Sequence, residues 1–465
     1  MIKPIRMTAL ALALALTCAA LPAAAEDLMQ IYQQARQADP TLAGADANKG
    51  AAEAGVGIAR APLLPQLGAS LGYTHSDGGS SSISPQPTGG GNYVLVPESG
   101  TSRDRSRQAQ GTLSQTLFNW ADITRLRGAR ETAHGASANY DAAVQDLIVR
   151  TATAYFGVLT ADDQLTFAKA NEKALAKQLD QAEQRYKVGL SAITDVHEAR
   201  ANHDTAVAQV IQAQNALDTA REAVEQITGK DFGDLKKLRD DLPLVKPDPD
   251  NLQAWVDTAL KQSPLLASSR FALNAARDNV SAQRAGHYPT LSASLVRTDT
   301  PSWGTRTSNF GSATLGSFPG NGLSGDTTIG VVLNVPIFTG GLVTAQLHQA
   351  VFQRDAAQDQ LESTRRSIVA GTRNAYRAVL AGISEVEATK QAVISAQSAL
   401  DATQAGFEVG TRTIVDVLLS QQQLFQAQSS YSQARHQFVL SGLQLKDAAG
   451  VLDGKDLEAV NTLLN

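Results

Sequence analysis

Hydrophobic and polar positions along the chain change period several times, and each change predicts an element. Residues 27–61 carry helical spacing, with Leu28, Ile31, Tyr32 and Ala35 on one face. Pro40 after Asp39 opens a second helix, and Pro62 and Pro65 end the helical pattern. From Gln66 the period becomes two: Leu67, Ala69, Leu71 and Tyr73 alternate with Gly68, Ser70, Gly72 and Thr74. This predicts a strand near 66–75 with one apolar face. A second alternating stretch, 108–118, leads back, although Gln115 interrupts its apolar face. Residues 77–100 between them are rich in Gly, Ser and Pro and read as a flexible exposed loop. The second half repeats the scheme, with strands near 290–297 and 328–338 around a Gly/Ser loop at 299–326.

A long helix follows each strand pair. Residues 120–187 set Leu147, Ile148, Val158, Leu159, Leu165, Leu175 and Leu179 in a background of Ala, Gln, Glu and Lys, which are strong helix formers. At 1.5 Å rise per residue such a helix is ~100 Å long. Residues 341–406 match it, and helices 192–227 and 414–449 return antiparallel. The turns between them, near 188–191 and 409–412, each contain Val-Gly, where glycine suits the left-handed position after a helix end. These two tips are versions of one motif: Tyr186-Lys187-Val188-Gly189-Leu190-Ser191-Ala192-Ile193-Thr194-Asp195-Val196 and Phe407-Glu408-Val409-Gly410-Thr411-Arg412-Thr413-Ile414-Val415-Asp416-Val417. Asp39-Pro40 and Ser263-Pro264, Pro65-Gln66-Leu67 and Pro289-Thr290-Leu291, and Ala154-Tyr155 and Ala375-Tyr376 recur at nearly the same offset. The chain therefore reads as two fused halves, 26–240 and 251–465, joined by a linker at 241–250. Function is expected at the tips.

Composition refines this picture. Lys3 and Arg6, an apolar run from Ala9 to Leu16 and then Ala23-Ala24-Ala25 have the form of a secretory signal peptide, 1–25, cut before Glu26. Cys18 is the only cysteine, and Ala15 and Thr17 suit a lipoprotein site poorly, so no disulfide is expected. The formal net charge is −5, and the absence of a basic patch or nucleic-acid module argues against a nucleic-acid partner. After the signal, no apolar run is long enough for a transmembrane helix, so a membrane crossing requires a β-barrel.

Any one of the strands would also suit a soluble sheet with one wet face. Four of them, paired by long polar loops in a secreted chain, resemble outer-membrane strands. Four strands do not close a barrel. Two chains supply about 8, a barrel filled by its own side chains, and three supply about 12, with room for a lumen. The inward Ser, Gly and Thr have little bulk for filling an interior, which favours the trimer. The long helices carry too few large apolar residues for a globular core, and aromatics are only 5% of the chain. Small side chains instead permit close helix–helix contact along a coiled seam.

Over essentially the whole mature chain, the sequence resembles the TolC family of outer-membrane export ducts. The resemblance is specific in Leu28-Met29-Gln30, Ala61-Pro62-Leu63-Leu64-Pro65-Gln66-Leu67, Thr151-Ala152-Thr153-Ala154-Tyr155-Phe156 and Gly410-Thr411-Arg412-Thr413-Ile414-Val415-Asp416-Val417-Leu418. It implies a homotrimer: a twelve-stranded outer-membrane β-barrel, four strands per chain, continuous with a twelve-helix periplasmic α-barrel. It also implies a periplasmic adaptor (membrane fusion) protein and an inner-membrane pump or ABC transporter as partners. The duct itself is passive and needs no cofactor or metal.

The resemblance assigns roles at the tips. Arg412 would hold the neighbouring tip through Thr194 and Asp195, with Gln178 in the same network, because a guanidinium can grip a carboxylate and a hydroxyl together. A surface arginine near a helix end, worth at most about 1 kcal/mol, is the plainer reading. Asp416 would line the narrowest ring once per chain, attracting cations and repelling anions. Thr413 and Asp416 also fit a helix-start capping box, and both roles can hold at once. Val188, Gly189, Leu190, Val409, Gly410 and Thr411 would receive adaptor hairpins, or serve only as turn residues. The chain departs from the family pattern at Leu419, where a second acidic residue is expected, and at Phe407, which lacks a tyrosine hydroxyl for Asp195. One aspartate ring should bind cations less well than two, and the closed state should be weaker or held by something else.

Two other classes compete. His197-Glu198 with His203 resembles a zincin motif, but that motif needs histidines four apart on one helix face. No phosphate loop, nucleophile elbow or acid pair stands out, so an enzyme is not expected. A periplasmic coiled-coil adaptor also has helical hairpins, but it has no need of four amphipathic strands.

Overall fold

The computed structural model describes residues 25–465, apart from Ser312 and the side chain of Thr314. The expected signal peptide lies outside the described residues but for Ala25. The elements in order are α1 (Leu28–Ala38), α2 (Pro40–Arg60), β1 (Gln66–Gly89), β2 (Asn92–Phe118), α3 (Trp120–Lys187) and α4 (Ile193–Thr228). Then come α5 (Leu252–Gln262), α6 (Pro264–Arg284), β3 (Thr290–Phe310), β4 (Ala313–Pro319), β5 (Gly322–Asn334), α7 (Leu342–Glu408), α8 (Ile414–Ala448) and α9 (Gly454–Asn461). Backbone contacts divide the chain into two compact units. One holds residues up to Gly50, His134–Phe271 and Asp359–Asn465, and the other holds Ala51–Ala133 and Ala272–Gln358. Each unit draws on both halves of the sequence.

The second unit contains one antiparallel sheet in the order β1-β2-β3, with β4 and β5 both on the far side of β3. The register carries unchanged from Ser302↔Gly322 to Thr305↔Pro319, so β4 and β5 act as one strand interrupted at Gly320-Asn321. Here the structure corrects the sequence reading. The segments expected to be loops, 77–100 and 299–326, continue the ladders almost to the hairpin ends, and β5 stops at Asn334 rather than 338. A ladder is closed by backbone hydrogen bonds, so Gly- and Ser-rich segments of low strand propensity still pair once a hairpin has set the register. Gly89, Gly90 and Gly91 turn the first hairpin with φ of 89°, 66° and 86°, all in the region that favours glycine.

Register aligns the apolar positions across the sheet. Leu67 lies opposite Leu113, Leu113 opposite Leu295, and Leu295 opposite Ile329. The band has no core to cover it: Leu67 is 84% exposed, Leu71 88% and Ile329 79%. The opposite face carries Ser70, Gln110, Thr112, Ser294 and Thr328. The outer edges of β1 and of the β4/β5 strand have no partner among the described residues. An exposed apolar sheet with two open edges is incomplete as a single chain.

The first unit is helical. Its main core joins α1, the middle of α3, the C-terminal part of α4, residues 232–238, α8 and α9 around Tyr155 and Phe156. Tyr155, fully buried, donates to the Lys236 carbonyl at 2.8 Å. A second cluster packs Trp255 against Tyr376, Val379 and Phe438. Pro40 and Pro264 each open a 21-residue helix. Buried Asp39 caps the first by accepting from the Thr41 amide and pairs with Arg150, whereas Ser263 Oγ accepts from the Leu266 amide at the second. Among the described residues no helix is long and apolar enough to cross a membrane.

Candidate functional site

The two helical tips are built by the same backbone device. At the end of α3, Gly189 has φ of 77°, its amide donates to Tyr186 O, and the Leu190 amide donates to Arg185 O. At the end of α7, Gly410 has φ of 79°, its amide donates to Phe407 O, and the Thr411 amide donates to Gly406 O. This paired pattern satisfies the last helical carbonyls with a left-handed glycine, so the chain reverses within a few residues. The turns leave Val188, Leu190 and Val409 exposed at 68%, 69% and 75%, with Thr411 exposed beside them. Apolar side chains presented on a turn with no covering element make a contact surface.

The helices that leave the tips begin differently. Thr413 caps α8: its hydroxyl accepts from the Asp416 amide, while the Asp416 carboxylate accepts from the Thr413 amide at 3.0 Å and hydroxyl at 2.9 Å. The Thr413 amide, then its hydroxyl, hold the Asp416 carboxyl below the usual aspartate range, with Arg412 adding a smaller push in the same direction. Helix α4 starts at Ala192, which offers no cap, and the Asp195 carboxylate accepts instead from the Ser191 hydroxyl at 2.6 Å. Thr194 is exposed next to it.

The two tips meet at Phe407. Its ring packs in a cluster with Leu175, Leu179, Val196, Ile414 and Leu418, and also in a second with Leu400, Val417 and Leu424. The Arg185 guanidinium, one turn before the first tip, lies 5.0 Å from the Phe407 ring centre. The missing hydroxyl of Phe407 is legible in the sequence but the part of Arg185 is not, because nothing in the local sequence links two residues on helices so far apart in the chain. Gln178, Gln181, Arg185, Gln404, Phe407 and Ile414 line a groove between the tips. The Gln178 Oε1 is buried there without a hydrogen-bond partner among the described residues. Arg412 makes no ion pair among the described residues, and its stem lies over Gly406. The structure thus gathers Gln178, Phe407, Thr413 and Asp416 into one end of the helical unit. It does not join Arg412 to Asp195 within one chain.

The zincin-like histidines are separated: His197 is exposed, while His203 lies 3.4 Å from Glu172 on α3. Among the described residues no group of three or more His, Cys, Asp or Glu could hold a metal ion.

Comparison with known proteins places this geometry. The model of the family described as outer membrane efflux protein matches residues 31–230 and 255–451. The outer membrane protein TolC of Escherichia coli K12 is 38% identical over 95% of this chain and 85% of its own. The alkaline protease secretion protein AprF of Pseudomonas aeruginosa is 28% identical over 93% of this chain and 86% of its own. Among solved structures, the outer membrane protein VceC of Vibrio cholerae superposes with a TM-score of 0.71 at 20% identity, covering 91% of this chain and 96% of that one. At that identity the likeness is one of fold.

Proposed function

The chain belongs to the outer membrane efflux protein family, and on that premise we propose that three copies close one gated duct. The protein is an outer-membrane channel for efflux and type I secretion, with its helical part in the periplasm. The family is one of passive channels, so energy comes from elsewhere. An adaptor identity is set aside, because the family match covers both halves of a chain whose sheet is made of long amphipathic strands.

The carrying observation is the incomplete sheet. Its apolar row Leu67–Leu113–Leu295–Ile329 needs lipid, and its two unpaired edges need strands. Edge-to-edge pairing of three copies satisfies both requirements and leaves the Ser, Gly and Thr face around an aqueous lumen. Exposed Phe118, Tyr288 and Phe338 lie near the strand bases, and Tyr73 and Trp303 lie further along, their ring centres 6.3 Å apart. Phe118 is opposite Leu291, and Trp303 follows twelve residues later on that strand. That separation is ~40 Å along the strand and about 30 Å along the axis of a tilted barrel, close to an apolar band with aromatic girdles.

In this reading the tips are the gate. Arg412, which makes no ion pair among the described residues, reaches Thr194 and Asp195 of an adjacent copy. The Gln178 Oε1, buried without a partner among the described residues, joins the same seam. Phe407 is held by Arg185 and by apolar packing, in place of a hydroxyl bond to Asp195. Asp416 sets a carboxylate ring at the narrow end, and the exposed turn residues Val188, Gly189, Leu190, Val409, Gly410 and Thr411 receive a periplasmic adaptor that couples the duct to an inner-membrane pump or ABC transporter. Single-channel recording of the trimer in a planar bilayer tests this. The wild type should show a small, cation-preferring conductance, and Arg412→Ala a clearly larger one. Equal conductances would move the latch away from Arg412, and the lack of any channel would remove the duct.

A further inference from the structure

We propose that the outward face of β2, at the level of the aromatic pair Tyr73 and Trp303, binds the phosphate groups of an anionic outer-leaflet lipid through Arg105 and Arg107. The proposal rests on the outer-membrane reading above. Charge divides unevenly between the two faces of the sheet. Arg103, Arg105 and Arg107 alternate along β2 and fall on the face of Leu67 and Leu113, as does Arg297 on β3. Arg306 is the one sheet arginine on the other face, which also carries Glu98, Asp104 and Asp326. The lipid-side face has two carboxylates, and both are engaged: Asp77 with Arg103 at 3.0 Å and Asp299 with Arg297. No carboxylate lies within ion-pair distance of Arg105 or Arg107 among the described residues.

Along β1 the apolar residues Leu67 and Leu71 come first, then Tyr73, then His75 and Asp77, so Arg107 shares the row of Tyr73, Arg105 the next row with Trp303, and Arg103 the row after that. Arg105 is directly opposite both His75 on β1 and Trp303 on β3, and the Arg107 guanidinium lies 5.3 Å from the Trp303 ring centre. Aromatic side chains mark the headgroup level of a bilayer, so arginines in the same rows meet the charged part of the outer leaflet. β2 and β3 are the interior strands of the sheet, and edge pairing between copies leaves this face uncovered. A guanidinium stacked on tryptophan is held in place at little entropic cost, and its fork matches two phosphate oxygens. Continuity with the lipid-facing band selects a membrane lipid over a soluble protein as the occupant. A phosphorylated glycolipid headgroup fits this chemistry.

The test uses the purified full-length trimer in neutral detergent and follows thermal unfolding during titration with diphosphoryl lipid A, dephosphorylated lipid A or inorganic phosphate. Diphosphoryl lipid A should raise the midpoint of the wild type, and the other two should not. Arg105→Gln/Arg107→Gln should need about thirtyfold more lipid for the same shift, since each basic group near an anionic surface contributes roughly fivefold. Arg306→Gln, on the lumen face, should titrate like the wild type. The single variants Arg105→Gln and Arg107→Gln decide the matter if the double variant does not fold, each requiring several-fold more lipid. Equal titrations of wild type and arginine variants overturn the site, and protection by inorganic phosphate alone overturns the lipid as its source. Flotation of the wild type with phosphatidylcholine vesicles is the separate control: failure to float removes the membrane reading itself.

Discussion

Helix α4 starts at Ala192 with no side chain to cap it, whereas α8 starts inside a capping box closed by Thr413 and Asp416. The helices have nearly the same length, 36 and 35 residues, and each leaves a tip turned by a left-handed glycine. Their burial differs more. Helix α4 buries Val196, Ala199, Ala206, Leu217, Val224 and Thr228, none of them titratable. Helix α8 buries a longer series that includes Ser432, His436 and Ser441. Ser432 donates to Asp163 at 2.6 Å, and His436 Nδ1 lies 2.8 Å from the Thr160 hydroxyl. One backbone plan thus carries two strategies. The α4 arm is held by small apolar contacts, while the α8 arm adds buried polar groups, of which His436 is titratable.

The largest expected effect follows from those groups. Burial pushes the His436 imidazole down to about 4, with Asp163 opposing and Arg435 and Lys237 assisting. Burial, then Asp146, pushes the Asp447 carboxyl at the end of α8 up to about 6. A lowered histidine contributes stability that is present above its unfolded value near 6.5 and lost as pH falls toward 4. A raised aspartate contributes stability that is present below its unfolded value near 3.8 and lost as pH rises through 6. Each amounts to about 3 kcal/mol, and over pH 4–6 they oppose each other. Thermal unfolding of the wild type should therefore vary little across that window. His436→Gln should become less stable as pH rises from 4 to 6, and Asp447→Asn should become more stable. Parallel profiles for the two variants would break the comparison, because α8 would then hold no opposed pair.

Next in size is the aromatic anchor. Phe407→Ala removes a ring shared by two clusters and by Arg185, and should destabilise the second tip by about 2 kcal/mol, less than for a fully buried ring. Tyr186→Ala at the equivalent position of the first tip, where the ring is half exposed, should have an effect of about 0.5 kcal/mol. Hydrogen exchange of the tip amides reads both. Smaller still, Thr413→Ala should weaken the start of α8 by about 1 kcal/mol, as loss of a cap does. Ser191→Ala should change α4 by less, because Ser191 bonds a side chain and leaves the α4 amides as they were. Equal effects would mean that the two helix starts are equivalent after all. Arg412→Ala should leave tip exchange within about 0.5 kcal/mol of the wild type while conductance rises, which separates a latch between copies from a local support.

Much of this organisation is legible along the chain because its causes are local. The 3.6-residue period, the absence of proline from the long helices, the Val-Gly turns and the Thr413-x-x-Asp416 spacing each act within a turn or two of backbone. The alternation of Leu67, Ala69, Leu71 and Tyr73 announces a strand with one apolar face for the same reason. Strand length was not legible. Residues 77–100 have the composition of a loop, yet Asp77 pairs with Arg103 and Ser82 with Glu98, because a neighbouring strand offers a continuous row of backbone partners.

At the tips, sequence alone determined where the chain turns and which side chains the turns present. Tertiary structure decided what those side chains meet. Asp195 bonds Ser191, Asp416 closes its own cap, and Arg185 of one hairpin lies over Phe407 of the other. The burial of His436 belongs to the same class, since α8 packs that position against α3. Turns and caps are decided by dihedral preferences and hydrogen bonds a few residues apart, whereas these contacts join residues brought together only when the helices pack.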